Sequence, residues 1–158
     1  MKKNNYLSLL QSMEFLVADL DDEISVLANV TALIKQSLEG FSWVGFYILK
    51  KDTLHLGPFQ GKVACSKISV GRGVCGQSVS LGKTILVKNV HEFPDHIACD
   101  SSSNSEIVIP IFVNGKIYGV LDIDSTRIGR FTNTDKIFLE KIIVIVSSKL
   151  EMIFNNKK

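Results

Sequence analysis

Cys65, Cys75 and Cys99 are the three cysteines of the sequence, and all fall in its middle third. Cys99 follows His91 and His96 in HEFPDHIACD and precedes DSSSNS, a run too polar to bury anything. Its thiol is therefore expected at the surface or at the rim of a pocket. Cys75 lies between Gly73 and Gly76 at the expected start of a short helix, where unpaired backbone N–H groups would lower a thiol's pKa. Cys65 is expected on a strand with Val63 on its own face, where buried filler and reactive thiol are equally good readings. An odd count of cysteines in a chain expected to stay in a reducing compartment points to thiol chemistry or to core filling, and a permanent disulfide is not expected.

The carboxylates are more informative. In VLDIDS, Asp122 and Asp124 alternate with Leu121 and Ile123, so on a strand both acids point to one face. Their Cβ atoms would lie roughly 6–7 Å apart, the rise of two residues. Like charges together on a sheet face cost free energy unless a cation is bound or one group keeps its proton. Glu106 opens the neighbouring strand beyond Cys99. Leu121 and Ile123 need one buried face, and the cysteine-bearing segment is expected to cover the other. Glu106, Asp122 and Asp124 would then share a closed cleft.

Zinc is the competing use of the same segment. His96 and Cys99 are closely spaced, and His91, Cys75 and Cys65 could complete a tetrahedron. No two cysteines show the short spacing of structural zinc sites, so no metal is expected. His55 on a strand and His91 in a turn read as packing or solvent residues.

The elements that must position these groups follow from periodicity. Tyr6, Leu9, Leu10, Met13, Leu16 and Val17 recur at helical spacing, and Ile24, Leu27, Ala28, Thr31, Leu33 and Ile34 form a second series. Asp21 or Asp22 suits the N-cap of that second helix and Gly40 its stop. WVGFYILK, TLHLGPF, KVACSKISV and TILVKNV read as strands, and GRGVCGQSVSLGK as a short helix bounded by glycines. EIVIPIFV and KIYGVLDIDS flank Asn114-Gly115, a two-residue turn that favours a hairpin with both residues at positive φ. FTNTDKIFLEKIIVIVSSKLEMIF is a long amphipathic helix capped by Thr132 or Asn133, with Asp135 in its first turn. The sum is a single α+β domain over residues 1–158, with helices at about 4–18, 22–39 and 132–154 and the sheet and cysteine segment at about 42–127. An antiparallel sheet of about six strands should carry the terminal helices on one face and residues of roughly 57–105 on the other.

Composition excludes several classes. At 46% hydrophobic and 22% charged, the chain is an ordinary globular one. Its net charge of +2 comes with lysines concentrated at the ends, and no basic stripe is interleaved with aromatic residues, so no nucleic-acid partner is expected. Gln11, Ser12 and Glu14 interrupt the apolar start, and Ser147, Ser148, Lys149 and Glu151 break the apolar end, so neither a signal peptide nor a membrane span is expected. A cytoplasmic location follows as the default.

ACSKISVGRGVCGQSV, VHEFPDHIACDSSSNSEIVIPI and GVLDIDS closely resemble the GAF-domain enzymes called free methionine-(R)-sulfoxide reductases. The likeness continues through EISVLANVTALI, WVGFYIL, LGPFQGKVAC and FTNTDKIFLEKI, nearly the whole chain. The resemblance implies reduction of the free amino acid methionine-(R)-S-oxide. Cys99 matches the family's nucleophile, which would be left as sulfenic acid. Cys65 matches the resolving cysteine, which would condense with it to a disulfide later reduced by thioredoxin, with NADPH as the electron source. Cys75 matches a third cysteine with an auxiliary role. Glu106, Asp122 and Asp124 match the acidic cluster that protonates the sulfoxide oxygen and holds the substrate ammonium. Trp43 and Tyr47 match an aromatic wall for the S-methyl end; without the family that pair reads as core. The resemblance implies no metal or organic cofactor, and it allows homodimerisation through the terminal helices.

The alternative is a GAF sensor that binds a small molecule without catalysis. Such sensors are normally fused to an output domain, for which these residues leave no room. A purine pocket also has little use for clustered carboxylates and paired thiols.

Overall fold

The computed structural model describes residues 2–158. In chain order its elements are α1 (Lys2–Ala18), α2 (Glu23–Ser37), β1 (Trp43–Lys50), β2 (Thr53–Gln60), β3 (Lys67–Ser69), α3 (Gly73–Leu81), β4 (Ile85–Val87), β5 (Ser105–Val113), β6 (Lys116–Ser125) and α4 (Asn133–Asn156). Asn114 and Gly115 hold left-handed backbone, φ 50° and 77°, and close the β5–β6 hairpin as the turn residues require. The six strands form one antiparallel sheet in the order β3-β2-β1-β6-β5-β4.

Strand alternation divides the sheet into two faces with different contents. Val44, Phe46, Ile107, Ile109, Leu121 and Ile123 point to the face covered by α1, α2 and α4 and join the main core there. Their sequence neighbours Trp43, Tyr47, Val108 and Val120 point the other way, into a smaller cluster under α3 and the long connections. The two-faced arrangement is the one the sequence implies.

Three expectations needed correction. In α2 the buried face runs through Val26, Leu27, Val30, Thr31 and Ile34, while Ile24 is 59% exposed. Val26 and Val30 outcompete Ile24 because they share the stripe that meets the sheet. KVACSKISV forms a strand only at Lys67–Ser69, so Cys65 lies in a connection. The backbone carbonyls there bond to side chains instead of a ladder: Trp43 Nε1 donates to the Lys62 carbonyl at 3.0 Å and the Tyr47 hydroxyl to the Cys65 carbonyl at 2.9 Å. TILVKNV likewise pairs only at Ile85–Val87, after which the Lys88 carbonyl accepts from Gly129 N.

Both helix starts are capped. Asp22 accepts from Ser25 N at 3.1 Å. In α4, Thr132 and Asp135 form a capping box, and Asp135 also ties α1 to α4. Its carboxylate accepts from the Tyr6 hydroxyl at 2.7 Å, Lys2 Nζ at 2.6 Å and Thr132 N at 2.7 Å, with Arg130 at 3.4 Å. Tyr6 stacks on Phe138 beside it, ring centroids 5.0 Å apart. Burial alone would raise the Asp135 pKa, but the bonds from Lys2, Tyr6 and Thr132 outweigh it and hold it below the usual carboxylate value. No helix among the described residues is long and apolar enough to cross a membrane.

Asp135→Ala removes half of the capping box, strands the Tyr6 hydroxyl and leaves Arg130 with only the Glu39 carbonyl. It is expected to lower the unfolding free energy by about 3 kcal/mol in urea titration. A loss under about 0.5 kcal/mol, the size of a neutral surface change, would contradict this account.

Candidate active site

Three strands place the acids in rows. Trp43 on β1, Asp124 on β6 and Glu106 on β5 lie opposite one another, and Gly45, Asp122 and Val108 form the next row. Directly opposed residues share a face, so Glu106, Asp122 and Asp124 meet on one patch. Gly45 leaves room for the Trp43 ring: a Cβ there would lie 2.6 Å from the Phe59 Cβ and run into the indole. Trp43 is therefore free to stack on Phe59 and Tyr47, with centroids 5.3 Å and 6.0 Å away.

Helix α3 lowers Cys75 onto this patch. The Cys75 thiol lies 4.0 Å from Glu106 Oε1, and one donor atom each from Cys75, Glu106 and Asp122 fall within 4.8 Å of one another. All three residues are buried. Residues of two connections form the lid. Val63 and Ala64 come from one side, and His96, Ile97, Cys99, Asp100 and Ser103 from the other, around a small cleft of about 40 Å³ that is partly open to solvent. A disulfide between Cys65 and Cys99 joins the two connections, Cα atoms 5.4 Å apart. Asp95, at φ 60°, clamps the lid to the start of α3: its carboxylate accepts from Arg72 at 2.6 and 2.9 Å and from Gly73 N at 3.4 Å. Ile97 packs over Gly73, where a Cβ would meet it at 3.1 Å.

Electrostatics in the cleft follow from burial. Burial first, and the Asp124 charge second, push Glu106 up to about 8. Asp122 rises well above the carboxylate range through burial and then through Glu106, and Asp124 through burial, Asp122 and Asp100. Cys75 rises as well, by burial and then by Asp122, Glu106 and Asp124. This overturns the expectation of a thiol acidified at a helix start. The N–H of Gly73 is spent on Asp95 and that of Gly76 on the Arg72 carbonyl, so neither serves the thiol. Asp122 Oδ1 and Ser103 Oγ are buried without a hydrogen-bond partner.

The sequence-derived candidates are brought together. Trp43, Tyr47, Cys75, Cys99, Glu106, Asp122 and Asp124 all line the cleft, and Cys65 stands behind it, bonded to Cys99. The Cys65–Cys99 pairing that the resemblance implies is present, the two lid thiols being joined. The polar run after Cys99 does bury two residues: Ser103 is 4% and Ser105 0% exposed. The zinc tetrahedron considered above does not form: Cys65 and Cys99 bond to each other, and His91 is exposed and bonded to Asn104. Sequence reasoning missed the pairing of His96 with Glu106, 3.6 Å apart, and the Arg72–Asp95 clamp. The clamp joins groups in separate connections and leaves no spacing signal.

The match to known proteins is extensive. Residues 21–151 match the family described as GAF domain. Over 142 residues the chain is 48% identical to the free methionine-R-sulfoxide reductase of Escherichia coli strain K12, covering 90% of this chain and 86% of that protein. It is 45% identical over 129 residues to the free methionine-R-sulfoxide reductase of Saccharomyces cerevisiae, covering 77% and 72%. The X-ray structure of the Neisseria meningitidis free methionine-R-sulfoxide reductase in complex with its substrate superposes with a TM-score of 0.92 at 42% identity, covering 97% of this chain and 92% of that one.

The raised carboxyl pKa values set the sign of the pH response. Between the unfolded value near 4.5 and the folded value near 8, Glu106 holds more proton in the native state, so stability falls as pH rises through that window. Asp122 and Asp124 act in the same direction. Urea midpoints should decline from pH 5.5 to pH 8.5, and Glu106→Gln should flatten the slope. A midpoint that climbs over this range would contradict the assignment.

Proposed function

The chain belongs to the GAF-domain family of the free methionine-R-sulfoxide reductases, and from that premise we propose that it reduces free L-methionine-(R)-S-oxide to L-methionine with Cys99 as the nucleophile. The observation that carries this reading is the Cys65–Cys99 bond held over three buried carboxyl groups in one cleft. A half-buried thiol beside proton-bearing acids is what sulfoxide reduction asks for.

In the proposed cycle the Cys99 thiolate attacks the sulfoxide sulfur while a carboxylic acid gives its proton to the departing oxygen. Glu106 is the donor of choice, because a pKa of about 8 keeps it protonated at neutral pH and still able to release the proton. The protonated oxygen passes from the substrate sulfur to the Cys99 sulfur, the transient sulfur–sulfur bond breaks, and methionine leaves with Cys99 as sulfenic acid. The Cys65 thiol then displaces that oxygen as water and closes the disulfide. A dithiol reductant of the thioredoxin type, supplied from NADPH, opens it again by exchange. Half-exposure of both sulfurs is compatible with that encounter.

Selection for the free amino acid is assigned to the buried polar groups. The unpartnered Asp122 Oδ1 and the Asp124 carboxylate face the expected ammonium. Ser103 Oγ, also unpartnered and on the cleft lining, is the donor we assign to the carboxylate. A peptide-linked methionine presents neither charge and would leave those groups unpaired in a dry site. Trp43 and Tyr47 hold the S-methyl end.

Purified protein with a thioredoxin system is expected to consume NADPH with free methionine sulfoxide, with only the R epimer lost. Cys99→Ser should abolish turnover, and Cys65→Ser should stop after about one equivalent of methionine, leaving a sulfenic acid that a dimedone probe traps. Glu106→Gln should cut kcat by about 10²–10⁴. Full activity in Cys99→Ser would defeat the proposal.

A further inference from the structure

Cys75 has no stated part in the cycle just described, yet its thiol is set at the floor of the cleft between two acids. With Cys65 and Cys99 joined, it is the free thiol of the oxidised chain, and it is 3% exposed. Its donor atom and those of Glu106 and Asp122 lie within 4.8 Å of one another, and His96 Nε2 stands 3.6 Å from Glu106 Oε2. Asp122 is 6% exposed, and its Oδ1 is buried with no partner beyond the protons that Glu106 and Cys75 keep beside it.

We propose that Cys75, Glu106 and Asp122, with His96 as fourth donor, form a site for a borderline divalent cation, zinc in particular. One thiolate, one imidazole and two carboxylates are donors that zinc accepts together in a four-coordinate shell. Calcium and magnesium want more oxygens than the floor provides and gain nothing from the thiol. Zinc bonds of 2.0–2.3 Å set ligand separations of about 3.5 Å, so closure of Cys75, Glu106 and Asp122 from the present spacing asks for shifts of about 1 Å, and His96 has to travel further. The two strands fix the acids in register and α3 fixes the thiol, so three of the donors sit on regular elements. Only His96 comes from the lid, which makes it the adjustable member. The set differs from the tetrahedron considered from the sequence: the lid thiols drop out and the sheet acids replace them.

An occupied site would withdraw the proton donor and one ammonium partner assigned above, so zinc acts there as an inhibitor. That consequence rests on the reductase reading; the site does not.

The test uses the oxidised protein, in which Cys65 and Cys99 cannot bind metal, titrated with cobalt(II) chloride. A thiolate-to-cobalt charge-transfer band should grow with the visible bands of a four-coordinate ion, saturate at one equivalent and be displaced by zinc. Cys75→Ser should lose the charge-transfer band. Glu106→Gln should keep the band and weaken cobalt binding at least tenfold, which separates loss of a ligand from loss of fold. Absence of the band at millimolar cobalt, or its survival in Cys75→Ser, overturns the site. Either failure leaves the turnover assay untouched.

Discussion

Glu106, Asp122 and Asp124 are packed together on neighbouring strands beneath a lid, and three carboxylates in that position cannot all be ionised. Bulk water would screen such a group at about 1 kcal/mol per contact at 4 Å, whereas a partly dry site with an effective dielectric near 20 raises this to about 4 kcal/mol. Protons must therefore stay in the cleft, or a positive ligand must enter it. The fold can sustain this because the same strands are firmly held on their other face. Ile107, Leu121 and Ile123 alternate with the acids and belong to the main core, so strand alternation lets one segment both anchor the domain and carry the unfavourable cluster.

The division of labour between sheet and connections follows from that arrangement. The acids need fixed mutual distances and sit on regular strands, where a one-residue slip would turn all of them into the core. In the proposed cycle the Cys65 and Cys99 sulfurs have to approach a ligand, each other and an external reductant, and both lie in connections. Those connections are still attached at chosen points. Trp43 and Tyr47 bond the carbonyls of Lys62 and Cys65, and Asp95 grips Arg72 and Gly73 before Cys99. The exposed Arg72–Asp95 pair contributes little to global stability. Its effect is local, since it fixes where the lid lands.

What the sequence disclosed tracks the range of the forces involved. Alternation in VLDIDS placed Asp122 and Asp124 on one face, Asn114-Gly115 specified the hairpin, and Thr132 with Asp135 announced α4; each signal lies within a few residues. The register that aligns Glu106 with Asp124 and Trp43 was only implied, because pairing depends on the whole sheet. Connections were the weak point. KVACSKISV has a strand's composition, but the donors that bind its carbonyls are Trp43 and Tyr47, far away in sequence. Ser103 was misjudged for a similar reason: a small hydroxyl residue is buried by what folds over it.

Cys75 shows how two physical effects of opposite sign are ranked. A helix start offers about half a positive charge, shared among a few N–H groups, and it favours a thiolate by roughly 1 kcal/mol or less. Against it stand full burial and three acids, with the nearest carboxyl oxygen 4.0 Å away. The second set wins, so the burial that raises Glu106 also keeps Cys75 protonated. A nucleophile in this cleft has to be less buried and further from the acids than Cys75. Cys99, partly exposed on the lid, meets the first condition in the folded chain. The separation of thiolate from carboxylic acid is thus a requirement of the electrostatics, and the lid is the means by which the fold satisfies it.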